Sequence, residues 1–410
     1  MKTILIIGYV WPEPNSSAAG SHMMSLIRLF KNADWKVVFA TPAQKTEFCC
    51  ELIDEQIEVK EISVNCESFD HFVKDTNPNA VLFDRFLMEE QFGWRVEKYC
   101  PMAIRLLDTE DLQCLRGARQ EAHKQERGFS VDDLNSDLAK REIASIYRCD
   151  LSLIISSFEM ELLTNHFSID SSLLIHIPFL LDRNKFNKTK LTFSQRKNFV
   201  TIGNLRHAPN WDSILFLQKI WPEIRNRLPQ AELHIYGAYT PPKATALNNP
   251  KIGFLIKDRA DDVNSVMENA RVCLSPLRFG AGIKGKFVDA MLNKTPIVTT
   301  QIGAEGMTGE QSIENAWPGF AENDEEKLIS KAIELYENEV LWNEKSQQGF
   351  RLLESVYDGK KIGARFLDRI ESLGSNIINH RRNNFIGSML QHHTMRSTEF
   401  MARWIEEKNK

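Results

Sequence analysis

The sequence has no run of eighteen or more apolar residues, so it lacks a segment long enough to cross a bilayer as a helix. It also lacks a strong net charge: 51 lysines and arginines against 55 aspartates and glutamates leave −4, which excludes a global attraction to nucleic acid or an anionic bilayer. The seven cysteines are odd in number and form no C-x-x-C pair, which is typical of reduced thiols. The first apolar run is short and leads to Trp11-Pro12 rather than to a small-residue cleavage site, so no signal peptide is predicted. We expect a cytoplasmic protein, for which peripheral contact with the inner face of a membrane stays open.

Short apolar runs alternate with helical patterns along most of the 410 residues. A polar stretch at 181–198 interrupts this alternation and fits a linker, after which strand-like runs resume at 199–203. Strands that alternate with helices predict the α/β class, here two Rossmann-like, doubly wound domains that face a cleft. We place the first domain at 1–185, the second at 190–375, and a helical segment at 376–410 that packs back on the first domain.

The most informative stretch is residues 275–292, which runs from the end of a predicted strand through a glycine-rich loop into a helix. Gly280 and Gly282 let the backbone approach a ligand closely, and the amides that begin the helix point at an anion. Lys284 and Lys286 add positive charge, and Asp289, one turn later, is placed to accept hydrogen bonds from ribose hydroxyls. This pattern indicates a phosphate or diphosphate site. The alternative is a glycine-rich turn with solvated lysines, since short glycine motifs have many false positives.

This stretch and its continuation at 296–307 resemble the donor-binding signature of the family-4 retaining glycosyltransferases, which have the B-type fold of two Rossmann-like domains. The segment 203–210 is similar to the one in which that family places a phosphate-binding arginine, and Arg206 is its match. The N-terminal loop with Gly20 before a helix resembles the family's first loop, which faces donor and acceptor. The resemblance implies a nucleoside-diphosphate sugar as donor and transfer of a hexose-type sugar with retention.

The sequence departs from the family's pattern of two glutamates separated by seven residues. Asp289 matches the second glutamate, whereas Ala281 occupies the place of the first, which in the family helps to hold the transferred sugar. Glu305, in the turn after the Pro296 strand, is a candidate for part of that role, with a solvated loop acid as the alternative. The family's lysine after the arginine is also missing, because His207-Ala208 stands there, so Lys284 or Lys286 is expected to supply the charge.

In the first domain, Asp108 directly follows a predicted strand, where the carboxyl end of a parallel strand meets the cleft. The neighbouring Glu110 and Asp111 fit either a cluster that orients sugar hydroxyls or binds a divalent ion, or ordinary acids in a first helical turn. His22 lies at the predicted start of the first helix and is a candidate for contact with the donor phosphate or the acceptor hydroxyl, with a surface histidine of that helix as the alternative. No D-x-D triplet follows an apolar strand, so no metal dependence is predicted.

These features predict a metal-independent glycosyltransferase of glycan or polysaccharide biosynthesis that has no cofactor besides its nucleotide-sugar co-substrate. Its expected partners are that donor and a glycan, lipid-linked or protein acceptor, and not nucleic acid. Two alternatives stay open: a nucleotide-sugar 2-epimerase of the same fold, and a non-catalytic paralogue that binds nucleotide or glycan. The catalytic candidates are Arg206, Lys286 and Asp108. The donor-binding candidates are Gly280, Gly282, Lys284, Asp289, Glu305, Gly20 and His22.

Overall fold

The computed structural model describes residues 1–186 and 191–409, and their strands form two parallel β-sheets. Helices are interleaved with the strands along the chain, and the strands of both sheets are mostly buried. The predicted fold class, two doubly wound α/β domains, is confirmed. Residues 187–190 of the predicted linker lie outside the described residues.

The first sheet has seven strands in the order β3-β2-β1-β4-β5-β6-β7. Its strands are β1 (Thr3–Ile7), β2 (Lys36–Thr41), β3 (Glu58–Glu61), β4 (Ala80–Asp84), β5 (Ile104–Asp108), β6 (Leu151–Ile154) and β7 (Leu174–His176). The central strands are apolar on both faces because helices cover both sides, which explains their uninterrupted apolar runs. These helices are α1 (Ala18–Asn32), α2 (Ser68–Thr76), α3 (Phe86–Tyr99), α4 (Gln113–Lys124), α5 (Asp137–Arg148) and α6 (Ser157–Asn165).

The second sheet repeats this arrangement with six strands in the order β10-β9-β8-β11-β12-β13. Its strands are β8 (Lys197–Ile202), β9 (Leu233–Tyr236), β10 (Phe254–Ile256), β11 (Ala270–Leu274), β12 (Ile297–Thr299) and β13 (Gly319–Ala321). The helices of this half are α7 (Ala208–Arg227), α8 (Pro242–Thr245), α9 (Val263–Asn269), α10 (Gly285–Leu292), α11 (Gln301–Ala304), α12 (Ile313–Ala316), α13 (Glu325–Glu337) and α14 (Glu339–Val356).

Each sheet has a point where the strand order reverses, between β1 and β4 in the first and between β8 and β11 in the second. Loops leave neighbouring strands in opposite directions there, so a crevice opens beyond the carboxyl ends of the strands. The predicted donor loop follows β11, and the segment with Arg206 follows β8. The fold therefore brings both predicted donor segments to one switch point.

The chain returns to the first domain earlier than the predicted boundary at 375. Helix α15 (Gly359–Ser375) places Ile362, Phe366 and Ile370 in the same apolar core as β1 and α1. Three further helices follow, α16 (Ile377–Asn383), α17 (Phe385–Leu390) and α18 (Arg396–Lys408), and a π-helical turn (Gln391–Met395) joins the last two. In α16, Arg381 pairs with Asp150 of the first domain. Within the described part of the chain, no helix is both long and apolar enough to span a membrane.

Candidate functional site

The predicted donor loop connects β11 to α10 and lies between the two domains. Gly280 has φ of 148° and Gly282 has φ of 63°, conformations that residues with a β-carbon rarely adopt. A β-carbon on Gly282 would also lie 2.9 Å from Cβ of Asp111 in the first domain. The glycines therefore allow the loop both to turn and to reach the opposite domain.

Two lysines at the start of α10 are screened from solvent. The Lys286 ammonium donates hydrogen bonds to Oδ1 of Asn210 at 2.8 Å and to Oγ of Ser275 at 3.1 Å, and Lys284 donates to the carbonyl oxygen of Gly282 at 2.8 Å. Burial lowers the pKa of each lysine to about 8. Because these hydrogen-bond partners are neutral, an anion placed here would gain more from the two lysines than it would from solvated ones.

Asp289 follows one turn later in α10. Burial raises the pKa of its carboxyl group to about 7, and among the described residues its side chain accepts no hydrogen bond. A carboxyl group without a hydrogen-bond donor is suited to hydroxyl groups as partners, since each hydroxyl can donate to it. Its geometry is compatible with the ribose contact predicted for it.

Arg206 lies at the exposed rim rather than with the lysines. Its guanidinium stacks over the ring of Tyr239, 4.4 Å from the centroid, and the Tyr239 hydroxyl donates to Oε1 of Glu13 at 3.2 Å. His207 is the N-cap residue of α7, but its side chain makes no capping hydrogen bond. Arg206 is thus held beside the N-terminal loop of the first domain.

Opposite the lysines, the first domain presents a buried polar cluster at the carboxyl ends of β4 and β5. It contains Asp84, Asp108 and Glu110 together with His22 of α1. His22 Nε2 lies 3.8 Å from Asp108 Oδ2, and neither of these atoms has a hydrogen-bond partner among the described residues. Buried polar atoms are normally paired, so these unpaired atoms mark a place where a polar ligand would be favoured.

The protonation of this cluster is set by burial. Burial and the neighbouring Asp84 raise the pKa of Asp108 to about 7, and burial with Asp108 raises the pKa of Glu110 to about 8. Burial lowers the pKa of His22, which favours its neutral form. Near neutral pH the cluster therefore contains groups able to accept or give a proton.

Two residues beside this cluster have positive φ although they are not glycine. Arg85 has φ of 69° and Glu110 has φ of 58°. Such conformations cost free energy and are found preferentially at ligand sites, where the surrounding structure holds them. The strain supports the cluster as part of a site, although it does not identify the ligand.

The structure gives Gly20 a packing role. A β-carbon there would lie within 2.5 Å of the backbone of Glu13, and the Gly20 amide donates to Oγ of Ser17 at 3.0 Å. Glycine is needed so that the N-terminal loop can fold against the start of α1. Because its amide is already bound, Gly20 cannot use that amide for the predicted donor contact.

Glu305 is bound by a residue of the opposite domain. Arg119 of α4 donates from Nη1 to Glu305 Oε1 at 2.7 Å and from Nη2 to Oε2 at 2.9 Å. The same guanidinium donates to the carbonyl oxygen of Gly280 at 2.9 Å. Glu305 thus reaches the donor loop through Arg119, a role that the sequence analysis did not foresee.

A second contact between the domains comes from Glu159 of α6. Its Oε1 accepts from the Gly282 amide at 2.7 Å and from the Leu112 amide at 3.2 Å. Burial and nearby Asp111 raise the pKa of this carboxyl to about 8. Sequence reasoning missed Arg119 and Glu159, because both lie inside ordinary helical patterns. Asp84 was also missed, although it follows an apolar strand just as Asp108 does, and that signal could have found it.

Within residues 1–186 and 191–409, no three or more His, Cys, Asp or Glu side chains are grouped so that they could hold a metal ion. The acidic cluster at Asp108, Glu110 and Asp111 is therefore not arranged as a metal centre in the described chain. The structure leaves hydroxyl groups as the better-fitting partners for these carboxylates.

Comparisons with known proteins agree with this geometry. Residues 196–338, which include the donor loop, match the family described as Glycosyl transferases group 1. An uncharacterized 44.6 kDa protein in the cps region of Klebsiella pneumoniae is 25% identical over 234 residues. That match covers 54% of this chain and 56% of the relative, so it spans only about half the length of either protein.

Solved structures resemble nearly the whole chain. HepE from Anabaena in complex with UDP-glucose has a TM-score of 0.67 at 12% identity, covering 91% of this chain and 100% of that one. A TarM mutant from S. aureus, in complex with fondaparinux, alpha-GlcNAc-glycerol and UDP, has a TM-score of 0.66 at 10% identity, with 90% and 100% covered. WaaG, a glycosyltransferase involved in lipopolysaccharide biosynthesis, has a TM-score of 0.62 at 13% identity, with 90% and 99% covered. The chain therefore has the two-domain fold of these solved structures, and its residues 196–338 match a glycosyltransferase family.

Proposed function

We propose that the protein transfers a hexose-type sugar from a nucleoside-diphosphate donor to an acceptor hydroxyl, with retention of configuration and without a metal ion. The observation that carries the proposal is the pair of lysines at the start of α10, of which Lys284 is buried and Lys286 half-buried. Lys284 and Lys286 have neutral hydrogen-bond partners and pKa values of about 8. Such a site is suited to a ligand that brings its own negative charge.

The lysines are assigned to the diphosphate leaving group. As the bond between the anomeric carbon and the diphosphate oxygen breaks, the leaving oxygen gains negative charge, and preorganised cations stabilise that state more than the ground state. The amides of Gly285 and Lys286, the first two of α10, add to this field, whereas the Phe287 amide donates to the carbonyl oxygen of Lys284. The Gly282 amide is already bound by Glu159, so the phosphates are assigned to the lysines and to these two amides.

Asp289 is assigned to the ribose, and the cluster of His22 and Asp108 to the acceptor hydroxyl. The unpaired atoms Nε2 of His22 and Oδ2 of Asp108 are able to hold a hydroxyl between them. The diphosphate itself then takes the proton of the acceptor hydroxyl as the new glycosidic bond forms. Ala281 supplies no carboxylate to the transferred sugar, so we assign the orientation of that sugar to the first-domain acids.

The comparisons support the class of substrate. HepE was crystallised with UDP-glucose, WaaG is involved in lipopolysaccharide biosynthesis, and the Klebsiella relative is a protein of a cps region. A uridine-diphosphate sugar as donor and a glycan as acceptor are therefore the first substrates to test.

The first experiment measures binding of nucleoside diphosphates by titration calorimetry, with UDP first. Lys286→Ala and Asp289→Ala are each compared with wild type, and Lys331→Ala, an exposed lysine paired with Glu334, is the matched control. Loss of one charge-assisted hydrogen bond, about 1.5–3 kcal/mol, predicts roughly 10- to 150-fold weaker binding in Lys286→Ala. If no diphosphate binds to folded wild-type protein, the donor site is in the wrong place and the proposal fails.

A second experiment separates transfer from its alternatives. The protein is incubated with the diphosphate sugar that binds, with and without glycan acceptors, and the products are identified by mass spectrometry and by the anomeric signals in NMR spectra. Transfer gives a product that needs the acceptor and keeps the donor's configuration. Conversion of donor without acceptor indicates an epimerase, and binding without turnover against any acceptor indicates a non-catalytic paralogue. Activity that persists in EDTA supports metal independence, and loss restored by a divalent ion contradicts it.

A further inference from the structure

The exposed apolar side chains of the molecule are concentrated near the C-terminus. Sixteen large hydrophobic residues are exposed among the described residues, and seven of them lie between 378 and 404. Its aromatic residues are prominent among them, with exposed fractions of 74% for Phe385, 71% for Phe400 and 59% for Trp404. These side chains form a candidate surface for the peripheral membrane contact considered from the sequence.

Helix α18 is amphipathic, but the face that it turns towards the protein is the charged one. A helix that packs on its own protein normally turns its apolar face inward. Its charged side chains face the first domain: Glu406 pairs with buried Arg95, and Arg403 pairs with Asp70. Glu399 likewise pairs with Lys98. The apolar side chains Phe400, Met401 and Trp404 point the other way and are exposed.

The inward contacts fix this orientation. Arg95 also pairs with Asp70, and Arg403 donates to Oε2 of Glu406 at 2.9 Å, so two charged groups of the first domain and two of α18 form one network. Turning the helix over would break the pairs Arg95–Glu406 and Arg403–Asp70 and leave the buried Arg95–Asp70 pair without the two charges of α18, which is costly. The exposed apolar face is therefore built into the fold rather than left over by loose packing.

Helix α17 repeats the arrangement. Phe385, Ile386 and Met389 are exposed at positions i, i+1 and i+4, the same spacing as Phe400, Met401 and Trp404. Between them Gly387 is buried, and a β-carbon on it would lie 2.2 Å from the carbonyl oxygen of Tyr147. Both helices thus hold a small residue against the first domain, Gly387 in one and Ala402 in the other, and present aromatic and aliphatic groups outward. We call these six exposed residues the C-terminal apolar face.

The charge around this face has the opposite sign to the charge of the whole protein. Residues 376–410 contain six lysines and arginines against three glutamates, whereas the chain as a whole has a net charge of −4. Two of those glutamates, Glu399 and Glu406, are paired with the first domain. Arg382 and Arg396 are exposed and form no ion pair within the described residues.

We propose that the C-terminal apolar face docks on the surface of an anionic lipid bilayer. Exposed tryptophan and phenylalanine beside arginine and lysine are the composition of segments that lie in the interface, with rings at the level of the headgroups and cations at the phosphates. Lys408, whose ammonium lies 5.1 Å from the ring centroid of Trp404, combines both features at one point. None of the six residues belongs to the proposed donor or acceptor site, so docking leaves the cleft free, and the inference does not depend on the proposed function.

Flotation with lipid vesicles tests the proposal. Wild-type protein is mixed with vesicles of phosphatidylcholine alone or of phosphatidylcholine with phosphatidylglycerol, and the bound fraction is measured at low and high salt. We expect binding to the anionic vesicles that weakens with salt. The double variant Phe400→Ser/Trp404→Ser is expected to bind at least about tenfold more weakly, since it removes the two large aromatic side chains that α18 exposes. The double variant Arg382→Gln/Arg396→Gln is expected to lose the preference for anionic lipid.

The matched control is Ile53→Ser/Val340→Ser, which removes two exposed apolar side chains, 72% and 80% exposed, from other parts of the surface. It should bind vesicles as wild type does. Circular dichroism and the thermal midpoint check that each variant is folded, which is expected because the replaced side chains are exposed.

Absence of vesicle binding by folded wild-type protein overturns the proposal, and so does equal binding by wild type and the Phe400/Trp404 variant. Light scattering adds a further decisive outcome. If wild type is a dimer and the Phe400/Trp404 variant is a monomer, the face is an interface between two copies and the membrane proposal is wrong.

Discussion

The two sides of the cleft differ in the groups that they bury, two lysines on the second domain and a cluster of acids with His22 on the first. On the second domain, burial lowers the pKa of Lys284 and Lys286 to about 8, so cations are held in surroundings that favour a bound anion. On the first domain, burial raises the pKa of Asp108 to about 7 and of Glu110 to about 8, so acids there are close to their neutral form. The difference suggests a division between a side for a charged diphosphate and a side for an uncharged, hydroxyl-bearing acceptor.

The largest effect is expected from removing a cation on the second-domain side. Lys286→Ala should lower kcat/KM for sugar transfer by about 10³-fold, because it weakens donor binding and removes stabilisation of the departing diphosphate. Steady-state kinetics with varied donor measure this. Lys286→Arg, which keeps the charge, should recover part of the loss. A loss confined to KM for the acceptor would reverse our assignment of the two sides.

A smaller effect, of another kind, is expected on the first-domain side. Asp108→Asn should lower kcat by about 10²-fold and leave the affinity for the nucleoside diphosphate unchanged, because Asp108 is assigned to the acceptor. Calorimetry and kinetics on the same preparation separate the two quantities. If diphosphate binding weakens together with kcat, the division between the sides is not as described.

A substitution of Arg119 tests whether the donor loop of the second domain depends on its contacts with the first domain. Arg119→Ala leaves Glu305 without its partner and releases the carbonyl of Gly280, so we expect about 3–5 kcal/mol lower stability and roughly tenfold weaker donor binding. Urea unfolding and calorimetry measure these changes. Arg127→Ala, which removes an exposed arginine paired with Asp133, is the control and should change both quantities little. Full donor affinity in Arg119→Ala would show that the loop needs no support from the first domain.

The smallest effect is the dependence of stability on pH. Acids with raised pKa values bind more protons in the folded than in the unfolded state, so the free energy of unfolding should fall as the pH rises through their folded pKa values. Between about pH 6.5 and 8, Asp108, Asp289, Glu110 and Glu159 all contribute in this direction. His22, whose pKa is lowered, acts mainly below this window, and Lys284 and Lys286 act mainly above it.

Urea unfolding at pH 6.5 and pH 8 measures the change, and Glu159→Gln should make it smaller. A stability that rises between these pH values would contradict the raised pKa values of the acids.

The sequence alone was enough to predict those parts of the structure that depend on local patterns. The strands and the donor loop could be predicted, because apolar runs and the glycines at 280 and 282 act over short distances along the chain. Arg119 and Glu159 could not, since their partners Glu305 and Gly282 lie more than a hundred residues away and no period in the sequence links them.

The last helix shows a second limit of sequence reasoning. Its return to the first domain was expected, but its aromatic residues Phe400 and Trp404 are exposed rather than packed against that domain. Periodicity shows that a helix has an apolar face but not which partner meets it. Here the ion pairs of Arg95 and Asp70 decided the orientation, and these partners lie in α2 and α3.

The close approach of the two domains also limits how they can be exchanged between relatives. A β-carbon on Gly285 would lie 2.6 Å from Cβ of Ala18, and one on Gly306 would lie 1.9 Å from Oγ of Ser156. A chimera that joins this second domain to a first domain with a larger side chain at position 18 or 156 would clash, however well each half folds. An acceptor-side domain can therefore be joined to this donor-side domain only if it keeps small residues at positions 18 and 156.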